Sequence, residues 1–404
     1  MQKKQYNKVI IIHPGTQHAY RLANAIALVS PLKEVKLYTW FIISSSSILG
    51  RIHFLKHRIR KIDKSVSIRN YPFFELLLIV HKKINRFFNL SRNNNPYYFW
   101  QTIFGFFLIP LIYIKREKTI LIVFESCGWP ITKYAKKWGI PVIMDFSAIS
   151  HESASLLGIK ETKYGIKIKK LERQNIDYGF NCSNFAVNTY KGKTSAKQHY
   201  SIWLGTDFQI TSSKAFSIAN EKVFNCCCIG NSEFIKGIDI LLEAFSQINH
   251  NNKKLYIIGQ IDKNWITNYC NQKNISLNNV ILSGKIEHKH LKIFLMQHNI
   301  HLHILPSRFD SFGMVVPETM ALGIPNIISP NVGAGEMIDD QINGLKMKIL
   351  DVNELILQIN NYLQMTAAEK STLAENTLKK SQEMTWEMYN ERIKTALTAI
   401  LSSH

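Results

Sequence analysis

Two carboxylates eight positions apart, Asp310 and Glu318, stand in the stretch PSRFDSFGMVVPETMALGIP (306–325), on either side of a turn that contains Gly313. Asp310, Ser311, Phe312 and Gly313 follow the polar end of an apolar run. Pro317 suits the first turn of a helix, and Gly323 suits its end before Pro325. The spacing predicts a short helix beginning at Pro317. Its start leaves the backbone N–H groups of Gly313 to Glu318 unpaired and biased positive, a place for a phosphate or a ring of sugar hydroxyls. A carboxylate accepts two hydrogen bonds from a vicinal diol, each charge-assisted bond being worth roughly 1.5–3 kcal/mol. A nucleotide sugar carries one such diol on its ribose and others on its hexose, so one acid per diol is the economical assignment. Taken alone, two acids at a helix start also fit a cap and a solvated turn; the neighbouring motifs favour a ligand.

Upstream, IGNSEFIKGIDILLEAF (229–245) reads as a strand end, a turn with Lys236 and Gly237, and a helix with Ile240, Leu241, Ala244 and Phe245 on one face. Lys236 is placed to reach a diphosphate. Downstream, NVGAGEMIDDQINGLKMKILD (331–351) reads as a glycine turn, a helix start with Glu336, and a turn ending in Asn343-Gly344 before a strand. Asp339 and Asp340 are adjacent, so their side chains point apart, and the chain contains no D-x-D triplet.

In this order the motifs resemble the retaining GT-B glycosyltransferases of family four (glycosyl transferases group 1), over about Val223–Asp351 by sequence and elsewhere by architecture. The resemblance implies that Asp310, standing where the family carries Glu, contacts the transferred sugar as the catalytic acid position. It gives Glu318 the ribose, Lys236 the diphosphate, and Phe312, Gly313, Met314 and Val315 the donor-binding loop. The family's Gly-Arg is Gly230-Asn231 here, which removes one bidentate phosphate donor. A metal-independent enzyme without a cofactor, its nucleotide-diphosphate sugar being a co-substrate, is the expectation.

The N-terminal half is less specific. After the strand Lys8–Ile12 comes HPGTQHAYRLANAIAL (13–28), where Gly15 opens a helix at the position from which GT-B enzymes approach the donor phosphates and the acceptor. A plain helix start capped by Thr16 accounts for it equally well, and His18 either faces the ligand crevice or sits on the surface of the first turn. In IPVIMDFSAISHES (140–153), His151 lies near where the family places a histidine on the donor sugar, with Asp145 or Ser147 as alternatives and an ordinary helix N-terminus as the plain reading. The resemblance implies front-face displacement, in which the leaving diphosphate deprotonates the acceptor.

A chain of 404 residues is long enough for two α/β domains, since single cores stop growing near ~250–300 residues. Apolar runs at 8–12, 35–39, 120–124, 142–144, 223–229, 255–258, 280–283 and 301–305 alternate with helical patterns, which argues for parallel sheets. The expected fold is GT-B, with two facing Rossmann-like domains at 1–207 and 208–383. Their boundary falls in the polar stretch Asp207–Glu221, and a C-terminal helix (384–404, starting near Trp386) packs back on the first. Trp203–Asp207, WLGTD, resembles the family's tyrosine-glycine-x-Asp turn.

Several chemistries are disfavoured. Gly192-Lys193-Thr194 lacks the glycine five positions earlier that a P-loop needs, Val187 standing there. Cys226, Cys227 and Cys228 alternate faces in a strand, and no C-x-x-C pair exists. His288, His290, His298, His301 and His303 crowd one region without metal-ligand spacing. Residues 1–120 hold 20 Lys+Arg against 4 Asp+Glu, so +16 of the net +21 lies there, on the acceptor side. RIHFLKHRIRKIDKSVSIR (51–69) and FFELLLIVHKKINRFF (73–88) interleave cations with apolar residues as an interfacial surface does. A lysine-rich solvated face is the plain alternative, and no nucleic-acid motif accompanies the charge. YYFWQTIFGFFLIPLIYI (97–114) reads as a buried helix or a membrane-dipping face. No secretion or lipidation signal is evident.

The function expected is transfer of a sugar to a glycan or lipid-linked acceptor in cell-surface polysaccharide or lipopolysaccharide synthesis, by a cytoplasmic protein peripheral to the inner membrane face and bound to its anionic surface. The alternatives are a non-catalytic nucleotide-sugar-binding or membrane scaffold, and an epimerase on the same fold.

Overall fold

The computed structural model describes residues 5–15, 17–45, 58–88, 95–208 and 223–403. Thr16, most of the expected boundary 207–221 and part of the basic segment 51–69 lie outside the described residues. The chain divides into two compact units, Met1–Cys182 with Ala186–Trp203 and Glu387–His404, and Ser183–Phe185 with Leu204–Trp386.

The N-terminal unit contains strands β1 (Lys8–Ile12), β2 (Glu34–Thr39), β3 (Ile43–Ser44), β4 (Ile59–Arg60), β5 (Val66–Asn70), β6 (Thr119–Phe124), β7 (Val142–Phe146), β8 (Tyr178–Asn181) and β9 (Gln198–Ser201). Its helices are α1 (Ala19–Ala27), α2 (Pro72–Phe87), α3 (Pro96–Ile114), α4 (Ile131–Lys137), α5 (His151–Leu156), α6 (Lys163–Arg173) and, from Ala186 on, α7 (Asn184–Tyr190). Seven strands form one parallel sheet in the order β5-β2-β1-β6-β7-β8-β9, while β3 pairs with β4. The central strands KVIII and TILIVF are apolar after their first residue, and every residue of β6 is buried. Such runs fit only a strand covered on both faces, as a central parallel strand is.

The C-terminal unit contains β10 (Phe224–Ile229), β11 (Lys253–Ile258), β12 (Val280–Gly284), β13 (Leu302–Leu305), β14 (Asn326–Ile328) and β15 (Leu345–Lys346), all parallel, in the order β12-β11-β10-β13-β14-β15. Its helices are α8 (Ile238–Gln247), α9 (Lys263–Lys273), α10 (His288–Gln297), α11 (Val315–Met320), α12 (Val352–Gln364) and α13 (Ala367–Ser381), whereas α14 (Trp386–Ser402) belongs from Glu387 on to the N-terminal unit. The cysteine triplet of β10 shows how both faces are filled. Cys226 and Cys228 pack with Leu241 and Leu255, whereas Cys227 packs with Tyr256 and Leu295 on the other face.

Both sheets have a point where strand order reverses, between β1 and β6 in one unit and between β10 and β13 in the other. Chains leaving the carboxyl ends of such strands diverge to opposite sides and open a crevice for a ligand. The loops after β1, β6, β10 and β13 are therefore where chemistry is to be sought.

Candidate functional site

In the C-terminal unit, Lys236 comes from the loop after β10 and Asp310 from the loop after β13, the two loops that flank the reversal point. Their side chains meet: Lys236 Nζ lies 2.6 Å from Asp310 Oδ2. Three glycines make the approach possible. A Cβ on Gly230 would fall 2.6 Å from Lys236 Cγ, so the lysine stem runs over bare backbone. One on Gly259 would fall 1.7 Å from the Gly230 carbonyl oxygen, and one on Gly237, at φ +65°, 2.0 Å from that of Pro306. Asn231, in the place of the family's Arg, is committed to the loop itself, its Oδ1 accepting from Gln260 N–H at 2.9 Å. Arg308 is likewise occupied, donating through both Nη atoms to Asp239 at 2.8 and 2.6 Å and to the Phe234 carbonyl at 2.7 Å. It ties the β13 loop to the start of α8.

The loop from Asp310 to Gly313 is pinned from below by residues 331–334. Asp310 N–H donates to Asn331 O (2.9 Å), Gly333 N–H to Asp310 O (2.9 Å) and Ala334 N–H to Phe312 O (2.6 Å). Phe312 is 3% exposed, so its ring belongs to the core and only its backbone is available to a ligand. The helix that follows begins at Val315, two residues before the expected Pro317, which sits within the first turn. Two of the N–H groups expected to be unpaired are used, Val316 donating to Gly313 O at 2.8 Å and Glu318 weakly to Met314 O at 3.4 Å. Proline has none. Among the described residues, Gly313, Met314 and Val315 keep N–H groups with no backbone acceptor. Gly313 has φ +87°, which turns the chain into the helix.

Glu318 is buried in that first turn and accepts a hydrogen bond from His288 Nε2 at 2.8 Å. The bond to the Glu318 carboxylate raises the pKa of His288, against its partial burial. Glu336 lies in a 3₁₀ turn, Gly333–Met337, and accepts from Phe185 N–H at 2.7 Å and Asn184 Nδ2 at 3.0 Å, residues of the same unit. His303 is fully buried against Asn326 Oδ1 (2.6 Å), and burial lowers its pKa to about 4. Among the described residues no group of three His, Cys, Asp or Glu side chains is gathered that could hold a metal ion.

In the N-terminal unit, the loops after β1 and β6 line a cavity of about 150 Å³ whose walls include His13, Gln17, Tyr97, Glu125, Ser126 and Lys169. Gly15 sits over the His13 ring, its N–H donating to Nδ1 at 3.0 Å, and burial lowers the His13 pKa to about 4. His18 pairs with Asp145 Oδ2 at 3.0 Å, and Ser147 donates to Gln17 at 3.2 Å, so the ends of β1 and β7 are tied together. His151 is the first residue of α5, after the Ser150 cap, and is buried. Arg173, 1% exposed, donates through Nη1 to His151 Nδ1 (3.1 Å) and Glu152 (3.0 Å), and binds Glu125 through Nε at 2.7 Å and Nη2 at 2.6 Å. His151 Nδ1 lies 3.1 Å from both Arg173 Nη1 and Glu152 Oε2, and burial lowers its pKa. Glu172 accepts from the N–H groups of Ser126, Gly128 and Trp129 at 2.6–2.8 Å and fixes the β6 loop.

Sequence reasoning missed His288, Arg308 and the Glu125–Arg173 pair. Their partners lie 30, 69 and 48 positions away, and no local spacing marks them. His13 alone had a signal, directly following a buried strand at its carboxyl end.

Residues 209–395 match the family model of glycosyl transferases group 1. An uncharacterized glycosyltransferase of Methanocaldococcus jannaschii is 33% identical over 155 residues, 38% of this chain and 41% of that protein. The chain thus spans about two-fifths of the length of this curated relative. Among solved structures, the lipopolysaccharide outer core galactosyltransferase WaaB superposes with a TM-score of 0.67 at 14% identity, covering 97% of this chain and 99% of that one. The Anabaena protein HepE, solved in complex with UDP-glucose, gives 0.63 at 14% identity with 97% and 99% covered. The chain therefore has the GT-B fold, and its residues 209–395 match the glycosyl transferases group 1 family.

Proposed function

We propose that this protein is a retaining glycosyltransferase that needs no metal and moves a sugar from a nucleotide-diphosphate donor to a glycan or lipid-linked acceptor of a cell-surface polysaccharide or lipopolysaccharide. The observation that carries the reading is the Lys236–Asp310 pair at 2.6 Å, one cation and one acid delivered by the two loops at the strand-order reversal. In the reading, Lys236 leaves the carboxylate for the diphosphate and shares it with the N–H groups of Gly313, Met314 and Val315. Asp310, released, accepts from a hydroxyl of the transferred sugar, and Glu318 accepts from the ribose diol.

The C1–O bond to the diphosphate then breaks while the acceptor oxygen bonds C1 from the same face. The acceptor proton passes to the departing phosphate oxygen, so no side-chain base is required. Lys236 and the loop dipoles stabilise charge that grows on the leaving group, the kind of preorganised electrostatic aid that contributes most to such steps. Within the N-terminal unit, Gly15 is assigned to close approach of backbone to the ligand. His151 is assigned to the donor sugar through Nε2, since Nδ1 faces Arg173 and Glu152.

NMR of the anomeric proton tests this. Incubation with the matching nucleotide sugar in EDTA is expected to release or transfer a sugar in the donor's own anomeric configuration. An inverted product, or activity abolished by EDTA and restored by a divalent ion, sinks the reading. Asn231 gives some support to a second one, donor binding without transfer, because the phosphate-gripping arginine is absent; tight binding with no turnover is its signature.

A further inference from the structure

The outer faces of α2 and α3 are left unused by the reading above. On α2, Phe73, Leu76, Leu77, Val80, Ile84 and Phe87 recur at helical spacing and face outward, Leu76 being 62% and Phe87 83% exposed. The core-facing side of the same helix carries Phe74 and Leu78. Lys83 lies in the apolar stripe, one turn from Val80, and Arg86 borders it, whereas Lys82 continues the row of the core-facing Phe74 and Leu78. This is the arrangement of a helix that lies in a lipid interface.

α3 has no charged residue from Pro96 to Ile114, yet only a third of it is buried. It docks through one stripe, Gln101, Phe104, Gly105, Leu108 and Ile112. A Cβ on Gly105 would fall 2.3 Å from the Trp129 carbonyl oxygen, so the helix rests directly on that loop. Phe99, Ile103, Phe106 and Ile114 point the other way, 38–73% exposed. The two helices run antiparallel, Phe73 meeting Phe107 at 6.0 Å between ring centroids and Trp100 Nε1 donating to His81 Nδ1 at 3.2 Å. Their outer stripes therefore join into one apolar surface, larger than a soluble monomer ordinarily leaves to water.

α3 is long enough to cross a bilayer, but crossing would strip its inner stripe from the sheet. Lying on the surface keeps that packing. We propose that the α2–α3 hairpin docks flat on an anionic lipid bilayer, its apolar ridge in the acyl boundary and Lys83 and Arg86 on headgroup phosphates. The charge selects this occupant over a second copy of the chain. α2 carries Lys82, Lys83 and Arg86 against Glu75 alone and α3 carries no charge, so a self-pairing would bring two positive faces together. The proposal does not depend on the donor site.

The test is co-sedimentation of the full chain with vesicles of one part phosphatidylglycerol to two parts phosphatidylcholine, and with phosphatidylcholine alone. Binding to the anionic vesicles is expected, weaker on neutral ones. Lys83→Gln with Arg86→Gln should lower the partition about 25-fold, two cations at about 1 kcal/mol each. Leu76→Gln, Phe87→Gln and Ile114→Gln together should lower it by about 100-fold or more while leaving the unfolding temperature and nucleotide-induced stabilisation as in the parent. Three results overturn the proposal: no vesicle binding, equal binding to both compositions, or a triple variant that still binds. A concentration-dependent dimer that the triple variant dissolves, without vesicle binding, would assign the face to a second copy instead.

Discussion

At Gly230 and Gly237 the same substitution should have opposite consequences. A methyl on Gly230 meets the flexible stem of Lys236, which can swing aside, whereas one on Gly237 meets the Pro306 carbonyl in a left-handed backbone. Gly230→Ala is thus expected to leave unfolding within about 1 kcal/mol of the parent but to weaken nucleotide binding about tenfold, by calorimetry. Gly237→Ala should cost about 2 kcal/mol or more in urea unfolding. Equal stability loss in both would show that Lys236 is not held as described. Asp310→Asn probes the other partner. The ion pair is partly exposed and worth about 1 kcal/mol or less to the fold, yet the loss of a charge-assisted bond to substrate should lower turnover about 10- to 150-fold. Acid sensitivity belongs to the histidines. His13 and His303 protonate near pH 6.5 when unfolded but only at about 4 when folded, so the unfolded chain binds more protons between these values. The stability they contribute is present above pH 6.5 and is lost as pH falls toward 4, about 2 kcal/mol each by pH 5. Urea midpoints should fall on acidification, with a shallower slope in His303→Gln; identical slopes would contradict the assignment.

Among the elements, what was legible in the sequence was what is local. The runs KVIII and TILIVF had to be central strands, and the Asp310–Glu318 spacing announced a turn and a short helix. The start of α11 was misplaced by two residues because proline is tolerated throughout a first turn and Pro317 was taken as its opening. The strand expected after Asn343-Gly344 is β15, while β5, β8, β9 and β14 escaped notice, being 3–5 residues long and too short to stand out. Contacts across sequence were out of reach for a different reason. Arg173 finds Glu125 only because α6 and the end of β6 come together in the folded unit, and a buried arginine is indistinguishable in sequence from the many exposed ones. The resemblance to the family supplied the roles of Lys236 and Glu318; the structure adds that Lys236 is held by Asp310, and Glu318 by His288.

At the scale of the whole molecule, charge and fold are divided between the two ends of the chain. The family motifs fall in residues 209–395, while +16 of the net +21 lies in residues 1–120. To the first of these belongs the proposed nucleotide-diphosphate-sugar pocket of Lys236, Asp310, Glu318 and the Gly313–Val315 backbone. It is tested most directly by thermal unfolding of the purified chain with UDP-, GDP- and ADP-sugars, in parallel with Glu318→Ala. A ligand at 100 times its dissociation constant adds about 2.7 kcal/mol to apparent stability. The account predicts a rise in unfolding temperature with one nucleotide class, lost in the variant. No rise with any of the three, or a rise that survives Glu318→Ala unchanged, would contradict it.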